Sequence, residues 1–140
     1  MREAAAWTGS GETLTFFKEG SLAGSTEIDY AHKSQTVSVT TDRLRDQLRG
    51  QRVDFLKIDI EGAENSVMFD IADDLGNVEH LFFEYHSVTG KQQQLPDLLR
   101  LVQNAGFRFY IGGPHGPNLP FVDTVESGFD LQLNIACVRR

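Results

Sequence analysis

The sequence predicts an α/β domain with a largely parallel sheet and one antiparallel strand near the carboxyl end. Three observations lead there. Residues 53–60 (VDFLKIDI) are β-branched and aromatic, too apolar for a half-exposed strand, and a helical pattern follows at once. Residues 78–85 repeat that composition, and Leu95, Leu98, Leu99 and Val102 then mark another helix. Residues 131–138 alternate as a closing strand, placed to return antiparallel to its neighbours.

The elements follow in order. Residues 2–7 and 13–17 read as strands joined by the turn residues Thr8, Gly9, Ser10 and Gly11. The polar stretch 21–34 reads as a loop and 36–39 as a short strand. Thr40 or Thr41 can cap a helix that places Leu44 and Leu48 on one face and Asp42 in its first turn, with Gly50 closing it. After the strand at 53–60, Ala63, Val67, Ile71 and Leu75 recur at every fourth position, which predicts one amphipathic helix over 62–75 stopped by Gly76. The helix after the second buried strand ends at Gly106, and 107–111 makes a further strand. Residues 112–117 (GGPHGP) are dense in turn formers and read as a surface loop.

Composition narrows the function. At 140 residues the chain suits a single domain spanning 1–140, and 40% hydrophobic with 24% charged residues is the balance of a globular protein. Thirteen basic residues against twenty acidic leave a net charge of −7 with no basic cluster, which argues against nucleic-acid partners. Cys137 is the sole cysteine and lies in an apolar run, so it reads as a core residue, and the lack of an intramolecular disulfide suits the cytoplasm. No apolar run approaches the ~18–20 residues that span a bilayer, and the opening residues have no leader pattern, so no membrane partner is expected.

Ligands of open α/β sheets sit beyond the carboxyl ends of the strands, which directs attention to the polar residues there. Lys57, Asp59 and Glu61 are spaced to share one side of their strand, and Gly62 lets the backbone turn. Glu84 and His86 are likewise two apart at the end of the next strand, so two acidic strand ends face one crevice. A plainer reading stands beside this one. Asp59 or Glu61 caps the following helix, Lys57 neutralises a buried carboxylate, and His86 is a surface histidine at a strand exit. Asp59, Glu61, Glu84 and His86 also have the chemistry of a divalent-ion site, as a metal-dependent hydrolase would need. No paired-histidine spacing supports that, and no metal is expected.

The run from Val53 to Glu64 closely resembles the strand-and-turn signature of FkbM-type methyltransferases, roughly D-x-x-K-x-D-x-E-G-x-E. Glu84-Tyr85-His86, Ala105-Gly106-Phe107 and Asn134-Ile135-Ala136 resemble that family's later strand ends and turn, and Ala5-Ala6-Trp7 with Gly11-Glu12 its third strand and hairpin extension. The similarity runs from about Glu3 to Arg139. It implies a partial Rossmann-like, class I methyltransferase sheet and S-adenosylmethionine as cofactor. It implies a small-molecule or glycan hydroxyl as acceptor, on a sugar or secondary metabolite.

Carried over by position, Asp59 would lie beside the methyl donor, Ala6 and Trp7 near the adenine, and Glu61, Glu84 and His86 on the catalytic side. His86 would be the candidate general base. The roles of Glu61 and Glu64 are not separable at this level. The family's glycine-rich turn after its first strand has no counterpart here, so the chain reads as the domain truncated at its amino terminus. In the family's sheet order the signature strand would then expose an open edge. Two readings follow: a methyltransferase, or a non-catalytic truncated domain that binds a partner or forms homo-oligomers through that edge.

Overall fold

The structure is a computed structural model, and it describes residues 4–18, 24–25, 36–116, 121–123 and 128–139. Strands β1 (Ala5–Trp7), β2 (Thr13–Lys18), β3 (Gly24–Ser25) and β4 (Thr36–Arg43) form one sheet in the order β1-β4-β2-β3. Helix α1 (Leu44–Leu48) leads to β5 (Val53–Ile58), helix α2 (Glu64–Asp70) and a 3₁₀ turn (Ala72–Asn77). Then come β6 (Val78–Val88), helix α3 (Leu95–Asn104), β7 (Arg108–His115) and β8 (Phe129–Val138). The second sheet has the order β5-β6-β8-β7.

The molecule is therefore α/β, but its sheets are mixed. Among the described residues only β1–β4 and β5–β6 pair in parallel, while β2–β3, β2–β4, β6–β8 and β7–β8 are antiparallel. In the second sheet β8 is the one strand running against the others, as expected near the carboxyl end. Because it lies between β6 and β7, it turns both of its ladders antiparallel.

The core lies on one face of this second sheet. Leu81, Phe83 and Tyr85 of β6 and Leu133, Ile135 and Cys137 of β8 are buried against Val67, Met68, Ile71 and Leu75 and against Leu98 and Val102 of α3. Alternation along the strands sends the intervening side chains to the other face, where His80, Ala136 and Tyr110 are exposed. Cys137 is in the core as expected, and burial pushes its thiol up to about 12.

Several boundaries move. The strand expected at 53–60 forms over 53–58 and ends the sheet: nothing among the described residues pairs with its outer edge, which is the open edge the resemblance implied, but it is not the fully buried strand its composition suggested, since Phe55 is 61% exposed. Leu56 and Ile58 face the core, while Phe55, Lys57 and Asp59 alternate to the exposed side. The helix expected from Thr40 or Thr41 begins only at Leu44, because β1 pairs with residues 41–43 and β2 with 36–40, which keeps β4 extended. Thr41 is buried, and its hydroxyl accepts the Glu12 N–H at 3.0 Å instead of capping a helix.

The helix expected over 62–75 breaks at Ile71 into α2 and the 3₁₀ turn. There Arg45 holds both Asp73 and Asp74 at 2.8 Å, favouring the tighter winding. The turn-rich segment 112–117 is strand as far as His115. Gly113 at φ +57 and a bulge absorb the irregularity while β8 supplies the ladder. Most of the stretch 21–34, and residues 117–120, lie outside the described residues.

Arg139 locks the far end of the core. Its guanidinium donates to the carbonyl oxygens of Leu75, Val78 and Ala105 at 2.7, 2.8 and 2.6 Å and lies 4.1 Å over the Phe107 ring. Arg139→Ala strands three acceptors at the joints between helix and strand, and we expect it to cost about 2–4 kcal/mol in urea unfolding. Arg139→Lys should recover little, because a point ammonium cannot reach three divergent acceptors.

Candidate functional site

The mouth of the β5–β6 pair gathers the candidate side chains. After β5 the chain turns sharply: Glu61 has φ +51 and Gly62 φ +101, a left-handed pair that only the second residue adopts without penalty. The turn lets Glu64, the first residue of α2, fold its carboxylate back into the space beneath. That carboxylate accepts the Ile60 N–H at 3.0 Å and the Gly62 N–H at 3.0 and 3.2 Å, and it meets Nδ1 of His86 at 3.0 Å. Glu64 and His86 are 0% and 2% exposed.

His86 is thus no surface histidine. One ring nitrogen is held by Glu64, its ring lies 4.8 Å from that of Phe129, and its Nε2 is 3.5 Å from a Glu61 carboxylate oxygen. Burial pulls the imidazole down, but the bond to Glu64 and the charges of Glu64, Glu61 and Glu84 overcome it and hold His86 above its ordinary value. Burial pushes the Glu61 carboxyl up. His86 pulls against that, and the nearby charges of Asp59, Glu64 and Glu84 add to it.

Asp59 stands at the end of β5 and takes a hydrogen bond from Lys57 at 2.9 Å. That bond and the Asp59 charge hold the Lys57 ammonium above its ordinary value. Asp59, Glu84 and His86 each offer a donor atom, all within 4.8 Å of one another. The four expected catalytic residues are therefore brought together. Neither Asp59 nor Glu61 caps α2, which starts without a side-chain cap. Ala6 and Trp7 lie on β1, opposite Asp42 and Arg43, with Trp7 partly buried against the core.

A cavity of about 220 Å³ opens beside His86, lined also by Gly62, Asn65, Tyr85, Lys91 and Gln92. Asn65, Lys91 and Gln92 were invisible as site residues in the sequence, since single polar residues in a helix and a loop carry no spacing signal. A larger hollow of about 660 Å³ between the 3₁₀ turn and α3 is lined by Phe69, Asp73, Asp97 and Arg100 among others. It contains none of the clustered acids and is less closely tied to any chemistry.

The sequence profile of the methyltransferase FkbM domain matches residues 3–109, about three quarters of the chain and every residue of this acidic mouth. The chain belongs to the FkbM methyltransferase family. No curated protein and no solved structure matches it. The FkbM match ends within β7, so the resemblance noted at Asn134-Ile135-Ala136 in β8 lies beyond it. Within the FkbM signature the structure separates two acids that the sequence could not: Glu64 is the buried brace of His86 and of the turn, and Glu61 is the partly exposed acid facing Nε2. No helix among the described residues is long and apolar enough to cross a membrane.

Proposed function

We propose that the chain carries the acceptor side of an S-adenosylmethionine-dependent O-methyltransferase acting on a hydroxyl of a sugar or secondary metabolite. One observation carries this reading: a buried histidine braced by a buried carboxylate at Nδ1, with Nε2 turned toward the acidic strand mouth. With Glu64 holding Nδ1–H, the Nε2 lone pair is the atom that takes the proton from an acceptor hydroxyl. The cavity beside His86, with Lys91, Gln92 and Asn65 on its walls, offers polar groups that suit a hydroxylated ligand.

The cofactor supplies an electrophilic methyl on a positively charged sulfonium. The donor set fits that charge, since Asp59, Glu61 and Glu84 make the mouth anionic. In a Rossmann-like arrangement Asp59 would face the donor, and Ala6 and Trp7 would be the adenine contacts. The chain's contribution is chiefly positioning, since methyl transfer needs nucleophile and methyl in line at close range.

A second reading has its own support. The outer edge of β5 is unpaired among the described residues, with Phe55 exposed beside it, as a self-associating module would have. Calorimetry with S-adenosylmethionine separates the two. We expect binding in the micromolar range by the methyltransferase, whereas no heat at millimolar ligand together with a dimeric mass in light scattering would establish the module.

A further inference from the structure

The second sheet buries one face against the helices and leaves much of the other open. The ladder registers set the open side chains in rows across the four strands. One row reads Phe55, His80, Val138 and Arg108, and the next reads Lys57, Phe82, Ala136 and Tyr110. Phe55 and Tyr110 are 61% and 48% exposed, Lys57, His80, Arg108 and Ala136 are exposed, and Phe82 and Val138 are half-buried. A third row of Glu84, Asn134 and Gly112, with Asp59 beside Glu84, borders the polar mouth.

Three rows across four strands cover about 19 Å by 20 Å, roughly 400 Å² in projection and more once side-chain relief is counted. An open, largely apolar patch of that order marks an interaction surface, and about 600 Å² per partner is the lower end of a specific interface. The charges are sorted as well. The first two rows carry Lys57 and Arg108 and no acid, although the chain has a net charge of −7. The acids are confined to the third row, so the repulsion between two acidic chains is weakest on this face.

We propose that this face holds a second copy of the chain, packed sheet on sheet about a twofold axis parallel to the strands and between β6 and β8. The pattern is complementary to itself about that axis. Each row meets the same row, with β6 over β8 and β5 over β7. Phe82 then lies against the partner's Ala136, a large side chain over a small one, and the contact repeats across the axis. Lys57 lies against the partner's Tyr110 and Phe55 against the partner's Arg108, each a cation at an aromatic ring. Glu84 meets the partner's Asn134, so no acid faces an acid. An axis across the strands through the second row is worse, because it sets Lys57 against the partner's Lys57 and leaves Ala136 facing the partner's Ala136 across a gap. This contact is distinct from pairing through the outer edge of β5. It also stands independently of the methyltransferase reading, since it is read from mass alone.

Sedimentation equilibrium of the full chain provides the test. We expect twice the 15.7 kDa chain mass, with a dissociation constant on the order of 10 µM, as a small interface gives. Ala136→Glu sets a charge against the partner's Phe82 on an inner strand, away from the β5 edge, and should weaken the dimer about 100-fold or more. Ala136 is exposed, so the variant should fold, which far-ultraviolet circular dichroism verifies. Tyr110→Ala removes the ring that faces Lys57 and should weaken the dimer about tenfold. A parent chain that stays monomeric at about 200 µM overturns the proposal. So does a folded Ala136→Glu whose dimer is weakened less than about tenfold, the result that pairing through the β5 edge gives. If Ala136→Glu loses its fold, Tyr110→Ala decides, and a change of less than about threefold there overturns the proposal.

Discussion

Glu64→Ala is expected to lower the stability of the domain by about 3–5 kcal/mol, a large part of the ~5–15 kcal/mol that a domain of this kind holds. The side chain is fully buried, and four contacts end on it: the Ile60 N–H, two to the Gly62 N–H and the His86 ring. Alanine leaves buried donors without acceptors and takes the nearer of two counter-charges from a buried imidazole, leaving Glu61 at 3.5 Å. The effect should depend on pH, and its sign follows from His86. In the fold His86 is held above its ordinary value, so its bond to Glu64 contributes stability that is complete below ~6.5 and fades as pH rises through the raised value. The Glu64→Ala penalty should therefore be greater on the acid side of ~6.5 than on the alkaline side. Urea unfolding followed by circular dichroism at both pH values measures it, and a loss below ~1 kcal/mol at either would mean that the carboxylate is not the brace we describe.

His86→Gln is expected to reduce methyl transfer by roughly 10²–10⁴-fold with little change in the fold. Glutamine keeps an amide N–H for Glu64 and nearly fills the space beside Phe129, but it has no titratable nitrogen to take a proton. Because a general base works deprotonated, the parent activity should rise with pH along an acid limb whose midpoint lies above ~6.5, the direction in which Glu64, Glu61 and Glu84 move the imidazole. The limb should vanish in His86→Gln. In Glu64→Gln it should move to lower pH, since the anion behind the ring is gone. The measurement is production of S-adenosylhomocysteine against pH with any hydroxylated acceptor that supports turnover. A glutamine variant that retains more than about a tenth of the activity on an unchanged acid limb excludes His86 as the base.

The two substitutions separate duties that lie side by side in the chain. Glu64 belongs to the turn as much as to the site, so its loss should register in unfolding before it registers in catalysis. His86 is the reverse, because its burial is already satisfied on the Glu64 side and by Phe129. Asp59 and Glu84 hold the outer side of the mouth, where substitution should change ligand binding with little structural cost.

Much of this molecule was written in local sequence. The β-branched and aromatic runs at 53–60 and 78–85, the four-residue periods around Val67 and Leu98, and the strand-end spacing of Asp59, Glu61, Glu84 and His86 all have short-range signals, and the fold contains strands at 53–58 and 78–88, helices at 64–70 and 95–104, and this gathering of side chains. The FkbM signature is equally local, which is why it could be recognised from one run of residues. What lay beyond reach has long-range causes. β4 stays extended through Thr41 because two distant strands bond to it, and β7 continues through a glycine-rich segment because β8 offers it a ladder. The division of labour between Glu61 and Glu64 was likewise decided only when Glu61 and Gly62 turned left-handed and swung one acid into the core beneath His86. Side-chain period fixes which way a residue faces along its own element, whereas hydrogen bonds between residues far apart in the chain decide what it faces.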